Sequence, residues 1–328
     1  MQPFSKDLLA LDPEQEIARI CEKIRSLMRN EIKRRGLIVA LSGGIDSSVT
    51  AALCVKAVGA SRVFGLEIPE RHSAEETLSL SGKVANHLGI QTAHEDISGI
   101  LEAFGFYRRY DAAVQSAIPE YGPGWKSKIV ISDIMENRGF SVFSVVARPP
   151  EGEQIKQRLP LNAYLEIVAA TNLKQRTRKT LEYYHADRLN YAVAGTPNRL
   201  EYDQGFFVKL GDGAADIKPI AHLYKSQVYQ LAEHLGIPEE IRSRPPTTDT
   251  YSLPQGQDEF YFALPYDRMD LCLFGKNNGY SPADVADSVA LTPEQVQRVY
   301  DDIDTKRKTT RYLHLAPRLI EAIPEIKK

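Results

Sequence analysis

Ser42-Gly43-Gly44-Ile45-Asp46-Ser47-Ser48 packs two glycines, three hydroxyls and a carboxylate into one short run. Adjacent glycines let a backbone turn tightly with its N–H groups facing inward. The hydroxyls of Ser42, Ser47 and Ser48 add donors, and the N-terminus of a following helix favours an anion. Such a cradle suits a phosphate or pyrophosphate. It is neither a GxxxxGK[ST] loop nor a GxGxxG fingerprint. Asp46 is the informative member: a carboxylate beside phosphates is repulsive unless a cation bridges them, and Mg²⁺ is the expected mediator. The plainer alternative is a Ser-Gly turn that only caps a helix.

The elements around this run must hold it rigidly. Residues 14 to 35 carry Ile17, Ile20, Ile24, Leu27, Met28 and Ile32 near a 3.6 period, which predicts an amphipathic helix ended by Arg34-Arg35-Gly36. Leu37 to Leu41 is an apolar run suited to a strand buried on both faces. After the Ser-Gly turn, Val49 to Val55 reads as a helix, Arg62 to Ile68 as a strand, and Ala74 to Leu88 as a helix closed at Gly89. Residues 180 to 193 repeat the pattern with a helix through Leu181 and Tyr184, followed by a strand at Tyr191 to Gly195. Strand, turn, helix, strand, helix predicts an α/β fold: a doubly wound parallel sheet with helices on both faces. Residues 104 to 158, with YGPGW, RPPEGE and the β-rich FSVFSVVA, read as an insertion or lid over the sheet edge within a single domain spanning 1–328. The part after Arg244 is rich in Pro, Asp and Tyr and is expected to end in two short helices. There is no internal repeat.

Charge and composition narrow the function. The 328 residues carry 41 basic and 43 acidic side chains, a net charge of −2, which argues against nucleic-acid binding through bulk charge. Hydrophobic residues at 43% and charged residues at 26% are ordinary for a globular chain. No apolar run is long enough for a membrane helix, and the N-terminus lacks a signal-peptide pattern. Cys21, Cys54 and Cys272 have no CxxC pairing, so neither a zinc site nor a disulfide framework is expected, and a reducing cytoplasm is. Cys54 sits in an apolar helical pattern and reads as a small core residue.

SGGIDSS resembles the pyrophosphate loop of the N-type ATP pyrophosphatases. A second, longer stretch, Asn172 to Pro238 (NLKQRTRKTLEYYHADRLNYAVAGTPNRLEYDQGFFVKLGDGAADIKPIAHLYKSQVYQLAEHLGIP), is similar to the signature of the ammonia-dependent NAD synthetases in that superfamily. PPTTD (Pro245 to Asp249) and QDE (Gln257 to Glu259) continue it in order. The resemblance spans residues 14 to 100 and 165 to 275 and implies an adenine nucleotide alpha-hydrolase-like fold. It also implies the reaction: ATP adenylates the carboxylate of nicotinate adenine dinucleotide (deamido-NAD), and ammonia then displaces AMP to give the amide.

Carried over by position, the resemblance implies ATP contacts at Ser42, Gly43, Gly44, Asp46, Ser47, Ser48, Thr196, Lys225 and Thr247. It implies metal ligands at Asp46 and Glu201, and dinucleotide contacts at Asn172, Arg176, Lys209 and Asp212. Catalytic roles fall to Asp46, Lys225 and Thr247; the negative charge building at the α-phosphate would be offset by Lys225, the metal and the loop N–H groups. The nucleophile belongs to the substrate, which agrees with the lack of a Ser-His-Asp or Cys-His pattern. Arg176 and Arg178, two apart on a helix, point different ways, and Tyr183-Tyr184 and Phe206-Phe207 read as packing pairs. The family also implies a homodimer, with the helix at 14 to 35 and the chain after Arg244 as contributors, and a separate ammonia-supplying protein is compatible with it. The chain departs from the family at PPTTD, at Gly213-Ala214, and at Thr305-Lys306-Arg307, where a His-Lys-Arg is usual. The changes at PPTTD and Thr305, with the insertion, motivate one alternative, amidation of another carboxylate. A second, a nucleotide-binding module without ligase activity, would need a broken phosphate or metal site, whereas Asp46, Glu201 and Lys225 are all present.

Overall fold

Leu37, Ile38 and Val39 have no exposed surface, and their side chains alternate between two separate apolar layers. That is the signature of a strand covered on both faces. The computed structural model describes residues 2–73, 75–131, 143–246, 250–256, 261–262 and 264–326. In it, β1 (Leu37–Ala40) is flanked by β2 (Val63–Glu67) and, in sequence much later, β7 (Ala192–Ala194), and β3 (Gln91–His94) pairs with β2. The sheet order is β3-β2-β1-β7 and every pairing is parallel, with Leu37 opposite both Val63 and Ala192.

On one face lie α1 (Pro13–Leu27), α2 (Ile45–Val58) and α8 (Lys225–His234). Asp12 caps α1 by accepting from the Gln15 amide at 3.1 Å. The helix continues as a wider turn to Ile32, and Lys33 at φ 54° ends it, slightly ahead of the expected Arg34-Arg35-Gly36. Its Ile17, Ile20, Cys21 and Ile24 are buried in the core. Val49, Ala51, Leu53 and Cys54 of α2 are fully buried, so Cys54 behaves as the small core residue its pattern suggests.

The other face is covered by α4 (Ser98–Ala103), α5 (Phe106–Gln115) and α6 (Leu161–Leu189), whereas α3 (Glu75–Leu88) puts Leu80, Val84 and Ala85 into the first core beside α2. Here the structure corrects the expected short helix near Leu181: α6 runs 29 residues from Leu161 without interruption. It has no Pro or Gly, and its faces meet the sheet, α5 and an open cavity in turn, so it shows no single apolar stripe.

A second sheet, antiparallel, is formed by β4 (Lys126–Ile131), β5 (Phe143–Arg148) and β6 (Ile155–Arg158) in that order. The remaining short helices are α7 (Arg199–Gln204) and α9 (Glu239–Arg242). Among the described residues, the C-terminal part holds three α-helices rather than two short ones: α10 (Tyr266–Asn277), α11 (Pro282–Val289) and the 18-residue α12 (Pro293–Thr310). Capping boxes Ser281–Asp284 and Thr292–Gln295 start the last two, and all three share a third apolar core. Among the described residues, no helix is long and apolar enough to cross a membrane.

Candidate active site

The chain leaves β1 for β2 on one side of the sheet, while β7 returns on the other. In an open α/β sheet such a reversal leaves a crevice beyond the carboxyl ends of the two diverging strands. The Ser-Gly turn follows β1, Gly195-Thr196-Pro197-Asn198 follows β7, and between them opens a cavity of about 780 Å³.

Gly43 has φ 68°, and a Cβ there would come within 2.8 Å of the Leu80 side chain and 2.9 Å of the Thr77 carbonyl, so only glycine fits. Ser42, Gly44, Asp46 and Ser47 line the cavity at the N-terminus of α2. The hydroxyls are partly committed: Ser42 Oγ meets Ser47 Oγ at 3.1 Å, and Ser47 Oγ donates to the Gly44 carbonyl at 3.0 Å. Ser48, the third hydroxyl of the run, is placed differently. It is wholly buried, outside the cavity wall, and donates to the Gly44 carbonyl at 2.8 Å, because a helix turns the next residue away from the mouth. Gly43 likewise lies beneath the wall rather than in it.

Asp46 and Lys225 form an ion pair, and Asn198 Nδ2 donates to the other Asp46 oxygen at 3.2 Å. Asn198 also caps α7: its side chain accepts from the Glu201 amide at 3.3 Å while Glu201 accepts from the Asn198 amide at 3.0 Å. One residue thereby sets the spacing of the two carboxylates. Burial first, and then the Asp46 charge, push the Glu201 carboxyl up to about 8, against the pull of Lys225. Lys225 is 2% exposed. Burial pulls its ammonium down, but Asp46 and Glu201 outweigh that and hold it above its ordinary value. Lys225 is placed by Asp270 of α10, whose carboxylate accepts from the amides of Lys225 and Ser226 at 3.2 and 2.7 Å at the start of α8.

Further along, Asn172, Arg178, Lys179 and Glu182 of α6 line the wall together with Asp212. Lys179 pairs with Glu182 at 2.6 Å. Burial raises both Glu182 and Asp212, and Asp212 accepts from the Val208 amide at 2.7 Å. Thr196, Thr305 and Lys306 also line the cavity, whereas Arg307 turns away into a two-point contact with Asp203 at 2.6 and 2.7 Å.

Two expected site residues lie elsewhere. Arg176 is exposed, outside the wall, and donates to the Lys209 carbonyl at 3.3 Å; Lys209 is engaged by the carbonyls of Tyr312 and Leu315 at 2.8 and 3.0 Å. Two residues along a helix rotate by about 200°, so when Arg178 faces the cavity and donates to the Ile68 carbonyl, Arg176 must face out. Thr247 lies outside the described residues, as do Thr248, Asp249 and Gln257 to Glu259. Phe206 and Phe207 do line the cavity, but each is packed: Phe206 stacks on Tyr261 at 4.7 Å and Phe207 on Tyr202 at 5.9 Å.

Asn198, Asp270, Lys179 and Glu182 were not singled out from sequence. Only Asn198 has a local signal, the Asn-x-x-Glu spacing of a capping box. As a whole, the wall offers backbone amides at a helix start, a fixed ammonium, and two carboxylates facing each other. Among the described residues there is no group of three or more His, Cys, Asp or Glu able to hold a metal. Two carboxylates suffice for a hard cation that keeps its water and shares phosphate oxygens, and Asp46 and Glu201 repel each other unless positive charge lies near both.

The residue pattern of the NAD synthase family matches residues 16–117 and 150–311 of the chain. The chain is 60% identical over 323 residues, 98% of its length and 96% of the relative's, to the NH(3)-dependent NAD(+) synthetase of Rhizobium meliloti strain 1021. Its fold is shared with the NMN synthetase of Francisella tularensis at a TM-score of 0.66, with 21% identity over 95% of this chain and 100% of that one. The NH3-dependent NAD synthetase of Campylobacter jejuni, solved with nitrate, superposes at a TM-score of 0.62, also at 21% identity, over 95% and 100% of the two chains.

Proposed function

The chain belongs to the NAD synthase family, and from that premise we propose that it is an ammonia-dependent, amide-forming ligase converting deamido-NAD to NAD with ATP as co-substrate. The observation that carries the reading is the Asp46, Lys225 and Glu201 cluster, set beside a Gly43-dependent turn at the crevice between β1 and β7. A relative 60% identical across nearly the whole chain bears that activity in its name, which favours it over amidation of another carboxylate.

The phosphates of ATP would lie over the amides of Gly44 and the start of α2, where the helix dipole favours them. Asp46 and Glu201 would hold Mg²⁺, which when bound supplies positive charge to the phosphate oxygens. The substrate carboxylate attacks the α-phosphorus, the bond to pyrophosphate breaks, and an acyl adenylate forms. Lys225, already buried and pointed at Asp46, offsets the charge gathering on the α-phosphate and costs no reorganisation at that moment. Ammonia then attacks the acyl carbon, the bond to AMP breaks, and a proton leaves the nitrogen. Thr247 would contribute as the family resemblance implies. The nicotinate end would meet Asn172 and Asp212, with Arg178 in the place first expected of Arg176.

Self-association fits the α4 and α6 side better than α1, whose apolar face is used in the core. Phe104, Leu165 and Leu161 are 54%, 52% and 70% exposed there, beside a hollow of about 350 Å³ lined by Phe104, Ala169 and Leu173. A homodimer would cover this face.

Incubation with ATP, Mg²⁺, ammonium and deamido-NAD, read by mass spectrometry, tests the reading. NAD, AMP and pyrophosphate in equal amounts are expected. AMP without NAD would move the substrate elsewhere, and no AMP at all would leave a binding module.

A further inference from the structure

The stretch between the two family-matched segments, residues 118–149, contains β4. β4 is one of the two edge strands of the antiparallel sheet, and a bare edge needs a partner or a cover. Its cover is a distant part of the chain. The Ser127 amide donates to Ser252 Oγ at 2.8 Å, the Leu253 amide donates to the Ser127 carbonyl at 3.2 Å, and Lys128 Nζ donates to the Pro254 carbonyl at 3.1 Å. Gln255, 2% exposed, donates its amide to the Ile129 carbonyl. Tyr110 and Tyr121 close the back of this seam with hydroxyls 2.9 and 3.1 Å from Ser127 Oγ.

The same segment is gripped at its start from α6. Lys174, 1% exposed, donates to the Thr250 carbonyl at 2.9 Å and pairs with Glu70 at 2.7 Å. Glu70 in turn accepts from Tyr107 at 3.0 Å, and Phe106 lies under the ammonium at 5.3 Å. A buried ion pair replaced by apolar groups often costs nothing, so its presence here needs a reason other than stability. Thr250 and Tyr251 form part of the cavity wall, and Thr250 follows Thr247 by three residues in the chain.

We propose that Lys174 and Ser252 are positioning residues for the ligase reaction. Lys174, held by Glu70, and the β4 edge together clamp Thr250–Gln255 as a fixed wall of the active cavity, and that is the work of the added sheet. Neither residue touches reacting atoms. Each acts through the placement of Thr250 and Tyr251. A wall displaced by about 1 Å can cost on the order of a hundredfold in rate.

The inference rests on the ligase reading, and a wild-type control keeps the two apart. Two variants test it: Ser252→Ala, and the double replacement Glu70→Gln with Lys174→Met, which removes both charges so that no unpaired one is left buried. Steady-state kinetics with ATP, ammonium and deamido-NAD would be read beside thermal unfolding. The expected result is a kcat roughly tenfold or more below wild type in both, KM for ATP within about twofold because the Ser-Gly turn is untouched, and Tm within about 3 °C. Ser252→Thr, which keeps the hydroxyl, should restore most of kcat. Wild-type kcat in both variants overturns the proposal, and so does a loss that only follows the folded fraction. A wild-type protein that makes no NAD sinks the ligase reading instead.

Discussion

The Lys225 ammonium meets the Asp46 carboxylate across 179 residues of sequence. The contact joins the first residue of α8 to the second of α2, two helices that pack side by side on one face of the sheet. Both side chains emerge at helix starts, so their charges converge at the mouth of the cavity, where the amides that open α8 are already taken by Asp270. The lysine also stands between Asp46 and Glu201, so a single cation moderates two acids.

Asp46→Asn keeps the volume and the contact from Asn198 but removes the charge. AMP release from ATP and deamido-NAD should fall by about a hundredfold or more, while the circular dichroism spectrum stays that of the wild type. A variant with normal turnover would show that the turn after β1 is only a helix cap.

Lys225→Met leaves Asp46 and Glu201 facing each other without their shared cation. Removing one partner of a buried pair costs about 3 kcal/mol, so the guanidinium midpoint should drop. Added Mg²⁺ should recover more stability in this variant than in the wild type, since a divalent ion between the carboxylates then has no lysine to compete with. Equal recovery in both proteins would place the ion elsewhere.

Glu201 sets a pH dependence whose sign is opposite to that of a salt-bridged acid. Its folded value is raised from 4.5 to about 8 by burial and by Asp46. Between those limits the folded chain holds a proton that the unfolded chain has released, so stability declines as pH rises through the window and levels off above it. Glu201→Gln keeps an oxygen for the Asn198 amide but does not titrate. Its urea midpoint relative to the wild type should climb from pH 5 to pH 8. A constant difference would mean that Glu201 is ionised throughout.

What could be read from sequence follows the range of the interactions. The turn at Ser42 to Ser48 and the strand before it are local matters, one of φ angles and one of an unbroken apolar run, and both are found where expected. Arg178 against Arg176 could not be decided, because helix rotation assigns them opposite faces without saying which face is inside. Asp270 lies 45 residues from the Lys225 amide it holds, and nothing in its neighbours marks it. The length of α6 was hidden for a related reason: a helix touching several layers shows no one apolar stripe. The seam between Ser127 and Ser252 spans 125 residues and joins the antiparallel sheet to a loop, a pairing that no spacing rule addresses.

The exposed face of α4 and α6 gives the last prediction. Phe104 and Leu165 are large apolar side chains more than half exposed, and they flank a hollow rimmed by Arg109 and Glu166. An isologous contact across a two-fold axis would bury each residue twice and let the arginine of one copy meet the glutamate of the other. Phe104→Asp with Leu165→Asp places charges where apolar surface should meet, and touches no residue of the cavity wall. Light scattering should then give a mass near 36.7 kDa, against twice that for the wild type. A wild-type protein already monomeric at micromolar concentration, or a variant still dimeric, would exclude this face as the contact.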